Sequence, residues 1–101
     1  MWYSASLLFR AVHPTDRDSD WLWQDSIVLM NASDEEAARQ RAEAIGRDHE
    51  HEYQTTSGTV RWEFVRVERL CEIEGELRDG TELFSRFLRE SEAESLIKPF
   101  D

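Results

Sequence analysis

The segment from residue 35 to residue 46 constrains this fold most, because the start, the buried face and the end of one helix can all be read from it. Glu36 follows Ser33 at the spacing of a capping box, in which each side chain pairs with the other residue's backbone N–H. Gly46 indicates where the helix ends. Four apolar residues share one face, which can lie close to a sheet: Ala37, Ala38, Ala42 and Ile45.

Two strand-like segments precede this helix. Residues 2–12 alternate between apolar and polar side chains, with Tyr3 and Phe9 on the apolar face, and this period of two predicts a first strand. Residues 21–32 predict a second strand. Because its residues 27–30 are all apolar, we expect this strand to be covered on both faces and to lie near the centre of the sheet.

Two further strands are predicted after the helix, over residues 50–56 and 59–73, with a hairpin turn at residues 57–58. The apolar positions of the fourth strand change phase midway, from even to odd residue numbers. One inserted residue has this effect, so we predict a β-bulge or a sharp bend near Phe64 and Val65.

The end of the chain is less regular. Residues 82–89 fit the period of a strand and that of a helix, and we predict a strand while keeping the helix as the alternative. Ser91 and Glu94 repeat the capping-box spacing, which predicts a short terminal helix. The chain is thus predicted to be a single α+β domain over residues 1–101. Its single antiparallel-rich sheet has four to five strands, with one long helix packed on one face and a short C-terminal helix.

Charge and cysteine content restrict the possible partners and the compartment. Acidic residues outnumber basic ones, 22 to 12, so the formal net charge is −10. Phosphate repels such a chain, so we expect no nucleic acid and no membrane partner. The charge favours a basic protein partner, or solubility alone. With one cysteine, Cys71, no secretory signal and no apolar run near the ~20 residues that span a bilayer, the chain is expected to be cytoplasmic.

Three aspartates at alternate positions are similar to the opening of a calcium loop: Asp16, Asp18 and Asp20. Such a loop needs a glycine at its sixth position for a tight turn and a glutamate at its twelfth for two oxygen ligands. Those positions hold Trp21 and Ile27 here. We therefore interpret this segment as a solvated acidic loop and assign no metal to it.

The histidine pair and the cysteine suggest no established chemistry. His49 and His51 would point to the same side of an extended chain, but two imidazoles fall short of the four ligands of a structural zinc site. Cys71 lies in an alternating apolar strand and is interpreted as an inert, buried side chain. We assign no catalytic residue, no cofactor and no metal.

The tryptophans point to an interaction surface. Trp62 is expected in the core beside Phe64. Trp21 and Trp23 share one strand face, and for both of them a place in the core and a place on a partner surface are equally favoured. If a helix covers only one side of the sheet, part of this aromatic surface must face water, a ligand or another subunit. We assign the candidate interaction surface to six residues: Trp21, Trp23, Asp16, Asp18, Asp20 and Arg86.

The order and spacing of five segments resemble those of the domain-of-unknown-function family DUF4288. These segments are residues 3–9, 26–29, 33–37, 62–64 and 79–86. The resemblance implies a small stand-alone prokaryotic protein with the element order strand, strand, helix, strand, strand, strand, and it supports a strand near residues 82–89. It implies no activity, cofactor or catalytic residue.

Two functional hypotheses follow. The first is a non-catalytic acidic interaction protein, either a homodimer or an inhibitor or immunity-type partner of a basic protein, and it predicts a contiguous acidic face and salt-sensitive association. The second is a small-molecule-binding domain or small enzyme that uses Trp21, Trp23, Arg86 and the histidines around a cleft. It predicts an enclosed pocket that holds His49 or Arg86.

Overall fold

The computed structural model describes residues 1–13 and 22–98 and shows an α+β fold, as predicted. In this described part, one four-stranded antiparallel sheet has the strand order β2-β1-β4-β3. The elements are β1 (Trp2–Val12), β2 (Trp23–Asn31), α1 (Glu35–Asp48), β3 (His51–Thr55), β4 (Gly58–Ile73) and α2 (Glu90–Ile97). Neither helix in these ranges is long and apolar enough to cross a membrane.

The core lies between the centre of the sheet and α1. Alternate β1 side chains point toward the helix and are buried there: Tyr3, Ala5, Leu7, Phe9 and Ala11. The fully buried Ala38 and Ala42 of α1 pack on this surface, so the small residues of the helix do allow close approach. We call this side of the sheet the helix face and the opposite side the open face.

Both ends of α1 differ from the prediction. Asp34, with an extended backbone, is the N-cap, and its carboxylate accepts a hydrogen bond of 2.8 Å from the Ala37 N–H. The predicted capping box of Ser33 and Glu36 is therefore wrong by one residue. Gly46 does not end the helix, which continues to Asp48. Gly46 is instead buried against the Phe64 ring, which occupies the space that a Cβ atom would need.

The expected central position of β2 is wrong, because β2 forms one edge of the sheet. Val28 and Met30 pack toward the core, but Ile27 and Leu29 point to the open face and are 51% and 43% exposed. An apolar run therefore does not require cover on both faces. Here Val28 and Met30 pack in the core, and α1 does not cover Ile27 and Leu29.

The predicted bulge near Phe64 and Val65 is confirmed. Between the pairs of Leu8 with Arg66 and of Phe9 with Phe64, the register shifts and leaves Val65 as the extra residue. A second shift, between Ser6 and Leu7, leaves Glu68 as an extra residue and was not predicted. Each bulge bends β4 locally and increases its twist.

The strand predicted over residues 82–89 is wrong, since this segment joins no ladder. It crosses the open face instead, where the Ser4 hydroxyl donates a hydrogen bond to the Leu83 carbonyl oxygen. The short terminal helix α2 is confirmed. Its predicted Ser91 and Glu94 cap is not, because the Glu92 carboxylate accepts from the Arg89 N–H at 3.0 Å. We call residues 82–98 the C-terminal arm.

Candidate functional site

The centre of the open face is covered by the first part of the C-terminal arm. The side chains of Ser4 and Ser6 are buried there, and both hydroxyls have acceptors. Ser4 donates to the Leu83 carbonyl oxygen, and Ser6 donates to the Asp25 carboxylate of β2. Because buried polar groups are costly when unpaired, these two bonds hold the arm and the edge strand to the sheet.

Beyond this point the arm leaves the body of the protein. Arg86 forms an ion pair of 3.7 Å with Asp25, and the next residue, Phe87, is 99% exposed. Among the described residues, α2 packs against none of the other helices or strands, and its Leu96 and Ile97 are also exposed. The radius of gyration is 16.2 Å, whereas a compact domain of this length has one of about 13 Å. Phe87, Leu96 and Ile97 of the arm thus lack cover.

The edge strand β2 is open to further pairing. It is nine residues long, its other neighbour position in the sheet is empty among the described residues, and Asp25 is its only charged residue. Edge strands are normally protected by lysine, proline, bulges or short length. β2 has none of these features. The opposite edge, β3, has only five residues.

The structure brings two of the six predicted interaction residues together. Trp23 lies on the open face at the start of β2, half exposed, with the Arg10 guanidinium 5.8 Å from its ring centroid. Arg86 pairs with Asp25, two residues further along the same strand face. The other four predicted residues lie outside the described residues: Trp21, Asp16, Asp18 and Asp20.

A second concave region, which we call the cleft, lies on the helix face beyond the end of α1. It has a volume of about 310 Å³ and is lined by Phe9, Gln24, Ser26, His49, His51 and Trp62. The rings of Phe9 and His49 stack with their centroids 6.4 Å apart. His51 stacks on Tyr53 at 6.1 Å. His51 and Trp62 are register partners in the β3–β4 ladder, so the sheet itself places them side by side.

The histidine pair lines this open cleft, which is not the enclosed pocket of the second hypothesis, and Arg86 does not line it. His49 and His51 lie on the helix face, and the Arg86 side chain pairs on the open face. Trp62 packs partly against the core, as expected, and also lines the cleft. Its lining role was missed because no local pattern links β4 to the end of α1. Within the described ranges, no three His, Cys, Asp or Glu side chains are grouped to hold a metal.

A third cavity, of about 460 Å³, lies between the end of β4 and the loop that leads into the arm. Five exposed carboxylates line it, those of Glu72, Glu74, Glu76, Asp79 and Glu82. Cys71 also lines it as a half-buried free thiol, which is less buried than predicted. Exposed carboxylates around an open loop are typical of a solvated surface.

One titratable group in the core has a shifted pKa. Burial raises the pKa of the Tyr3 phenol above its usual value, and the carboxylates of Glu72, Asp34 and Glu35 raise it further. All four groups lie away from the cleft, near the start of α1 and the end of β4. The phenol is therefore neutral at physiological pH and acts as a core side chain.

Comparison with known protein families places this chain in one of them. The model of a family described as Domain of unknown function (DUF4288) matches residues 2–85, which include the whole sheet, α1 and the start of the C-terminal arm. No curated protein and no solved structure matches the chain.

Proposed function

The chain belongs to the DUF4288 family, a domain of unknown function, and we propose from its surfaces that it is a non-catalytic interaction protein. It forms a homodimer through the edge of β2. One observation carries this proposal. The unprotected edge strand and the uncovered apolar arm meet at the same edge of the sheet, since Arg86 is paired to Asp25 of β2 immediately before Phe87.

The edge supplies the first half of the interface. Two copies of β2 would pair antiparallel about a two-fold axis, so that the same residues serve on both sides. The backbone N–H and C=O groups on the outer side of β2 would then gain partners. Two four-stranded sheets would join into one sheet of eight strands. Ile27 and Leu29 of each copy would lie next to each other on the shared open face.

The arm supplies the second half. The arm passes β2 at Arg86, so Phe87 and Leu88 would lie on the open face of the partner. The exposed apolar side chains of the partner's β2 are available there. Burial of apolar surface stabilises by roughly 25 cal/mol per Å².

The charges on α1 do not form the contiguous acidic face that an acidic inhibitor would need. On α1 the acids alternate with bases, in ion pairs of 3.7 Å between Glu35 and Arg39 and 3.8 Å between Glu43 and Arg47. A contiguous acidic face is therefore absent from this helix. The salt dependence of association distinguishes the homodimer from an inhibitor of a basic protein. Two subunits of charge −10 repel each other, so salt strengthens a homodimer, whereas it weakens binding to a basic partner. The free thiol of Cys71 is compatible with a reducing cytoplasm.

The test is sedimentation equilibrium of the full chain and of two variants with the same change in charge. Ile27→Lys places a charge on the β2 edge strand, a device that natural edge strands use against pairing. Gln54→Lys adds the same charge to β3 and is the matched control. We expect dimers for the wild type and the control, a monomer for Ile27→Lys, and tighter dimers at higher salt.

Three results would overturn the homodimer. They are a monomeric wild type at every salt concentration, an Ile27→Lys variant that dimerises as well as the control, and a dimer that salt dissociates. Purification of the chain from its host in a stoichiometric complex with a basic protein, in place of the dimer, would establish the inhibitor form instead.

A further inference from the structure

We propose that the cleft on the helix face binds an uncharged planar heteroaromatic ring, such as the base of a nucleoside. This site includes Gln24 and Ser26 of β2, whose side chains lie on the helix face, whereas the proposed dimer uses the backbone edge and the open face of that strand. The site rests on the arrangement of its own side chains and does not depend on dimerisation.

The shape of the cleft favours a flat ligand. Its lining includes the stacked rings of Phe9 and His49, and also the ring of His51, which stacks on Tyr53. Trp62 is the register partner of His51 and lines the same cleft. Three adjoining depressions, of about 310, 430 and 580 Å³, share His51 and Trp62 as lining residues. Aromatic rings in such a position stack on the face of a planar ligand.

The hydrogen bonds of His51 determine what its ring offers to a ligand. Nδ1 lies 3.0 Å from the His49 carbonyl oxygen, which can only accept, so Nδ1 carries the proton. In the neutral imidazole Nε2 is then an acceptor, and it has no partner among the described residues. A ligand N–H group can donate to it.

Three more polar groups of the cleft are free to bind a ligand. The indole N–H of Trp62, the amide of Gln24 and the hydroxyl of Ser26 make no hydrogen bond within the described ranges. Together with Nε2 of His51 they provide donors and acceptors around an aromatic centre. A heteroaromatic ring presents both kinds of group in its plane, which a hydrocarbon ring does not.

The neighbouring charges disfavour a phosphorylated form of this ligand. Glu50, Glu52 and Glu63 line the depression next to the cleft. The cation in this depression, Arg61, is paired with Glu63. A phosphate group would therefore meet the carboxylates of Glu50 and Glu52, which form no ion pair among the described residues, and this repulsion favours a nucleoside over a nucleotide.

Nuclear magnetic resonance titration of the full chain tests the proposal. The probes are adenosine, uridine and nicotinamide, with AMP as the charged control and ribose as the control without a base. We expect at least one of the three aromatic probes to shift the Trp62 indole N–H signal at millimolar concentration. Ribose should have no effect, and AMP should bind about tenfold more weakly than adenosine because of the nearby carboxylates.

Two variants separate binding from folding. His51→Ala removes a stacking ring and an acceptor, and we expect it to weaken binding at least about tenfold. Gln54→Ala changes the other face of the same strand and should bind as the wild type does. The proposal is wrong if no aromatic probe shifts the Trp62 signal, if ribose shifts it equally, or if both variants bind alike. None of these results bears on dimerisation, which the sedimentation experiment measures separately.

Discussion

Replacement of Gly46 by alanine tests the closest contact between α1 and the sheet. Alanine is more favourable than glycine inside a helix by about 1 kcal/mol, so helix propensity alone predicts stabilisation. At this position, however, the added methyl group would overlap the ring of Phe64. That ring cannot move freely, because it packs against Phe9 with centroids 5.7 Å apart.

The magnitude follows from these two opposing effects. Forcing one carbon into a packed core costs roughly 1–3 kcal/mol. With a central value of about 2 kcal/mol for overlap and a gain of about 1 kcal/mol from propensity, Gly46→Ala should lower the free energy of unfolding by about 1 kcal/mol. For a chain of this length that is a loss of about 4 °C or more in Tm.

A double-mutant cycle measures the overlap itself. In a Phe64→Leu background the ring is gone, so Gly46→Ala should stabilise the protein by about 1 kcal/mol. The sign thus reverses, and the coupling energy between the two sites is about 2 kcal/mol. The assay is urea unfolding at a fixed protomer concentration, because dimerisation makes the apparent stability depend on concentration. Stabilisation by Gly46→Ala in the wild-type background, or an equal effect in both backgrounds, would refute this reasoning.

Three further predictions concern single positions. Asp34→Ala should cost about 1 kcal/mol in urea unfolding because α1 loses its cap, while Ser33→Ala should stay within about 0.5 kcal/mol, and equal losses would contradict the assignment. Because the pKa of Tyr3 is raised in the folded state, the unfolded chain releases this proton first as pH rises above about 10, so stability falls there. Tyr3→Phe should make that fall less steep, and an unchanged slope would show that Tyr3 is not the cause. Phe87→Ser should weaken dimerisation in sedimentation experiments without altering the unfolding of the monomer, and a destabilised monomer would show that Phe87 packs within its own chain.

Local periodicity in the sequence determined the elements of this fold. The alternation in residues 2–12 corresponds to β1, and two of the three alanines predicted on one face of α1, Ala38 and Ala42, are buried on the sheet. The change of phase near Phe64 and Val65 corresponds to the bulge at Val65. Such features are readable because strand and helix each set the direction of a side chain by its position alone.

The position of each element among its neighbours was decided only by the tertiary structure. The apolar residues 27–30 read alike in a central strand and in an edge strand, and the pairing with β1 alone places β2 at the edge. Residues 82–89 have a strand-like pattern but cross the open face without a ladder.

The cleft shows the same limit. His49, His51 and Trp62 come from the end of α1 and from two different strands, and only their pairing and packing bring the three rings together. A sequence pattern reports the periodicity of one segment. Which segments become neighbours depends on the burial and hydrogen bonding of the whole chain, because strand pairing is a non-local interaction.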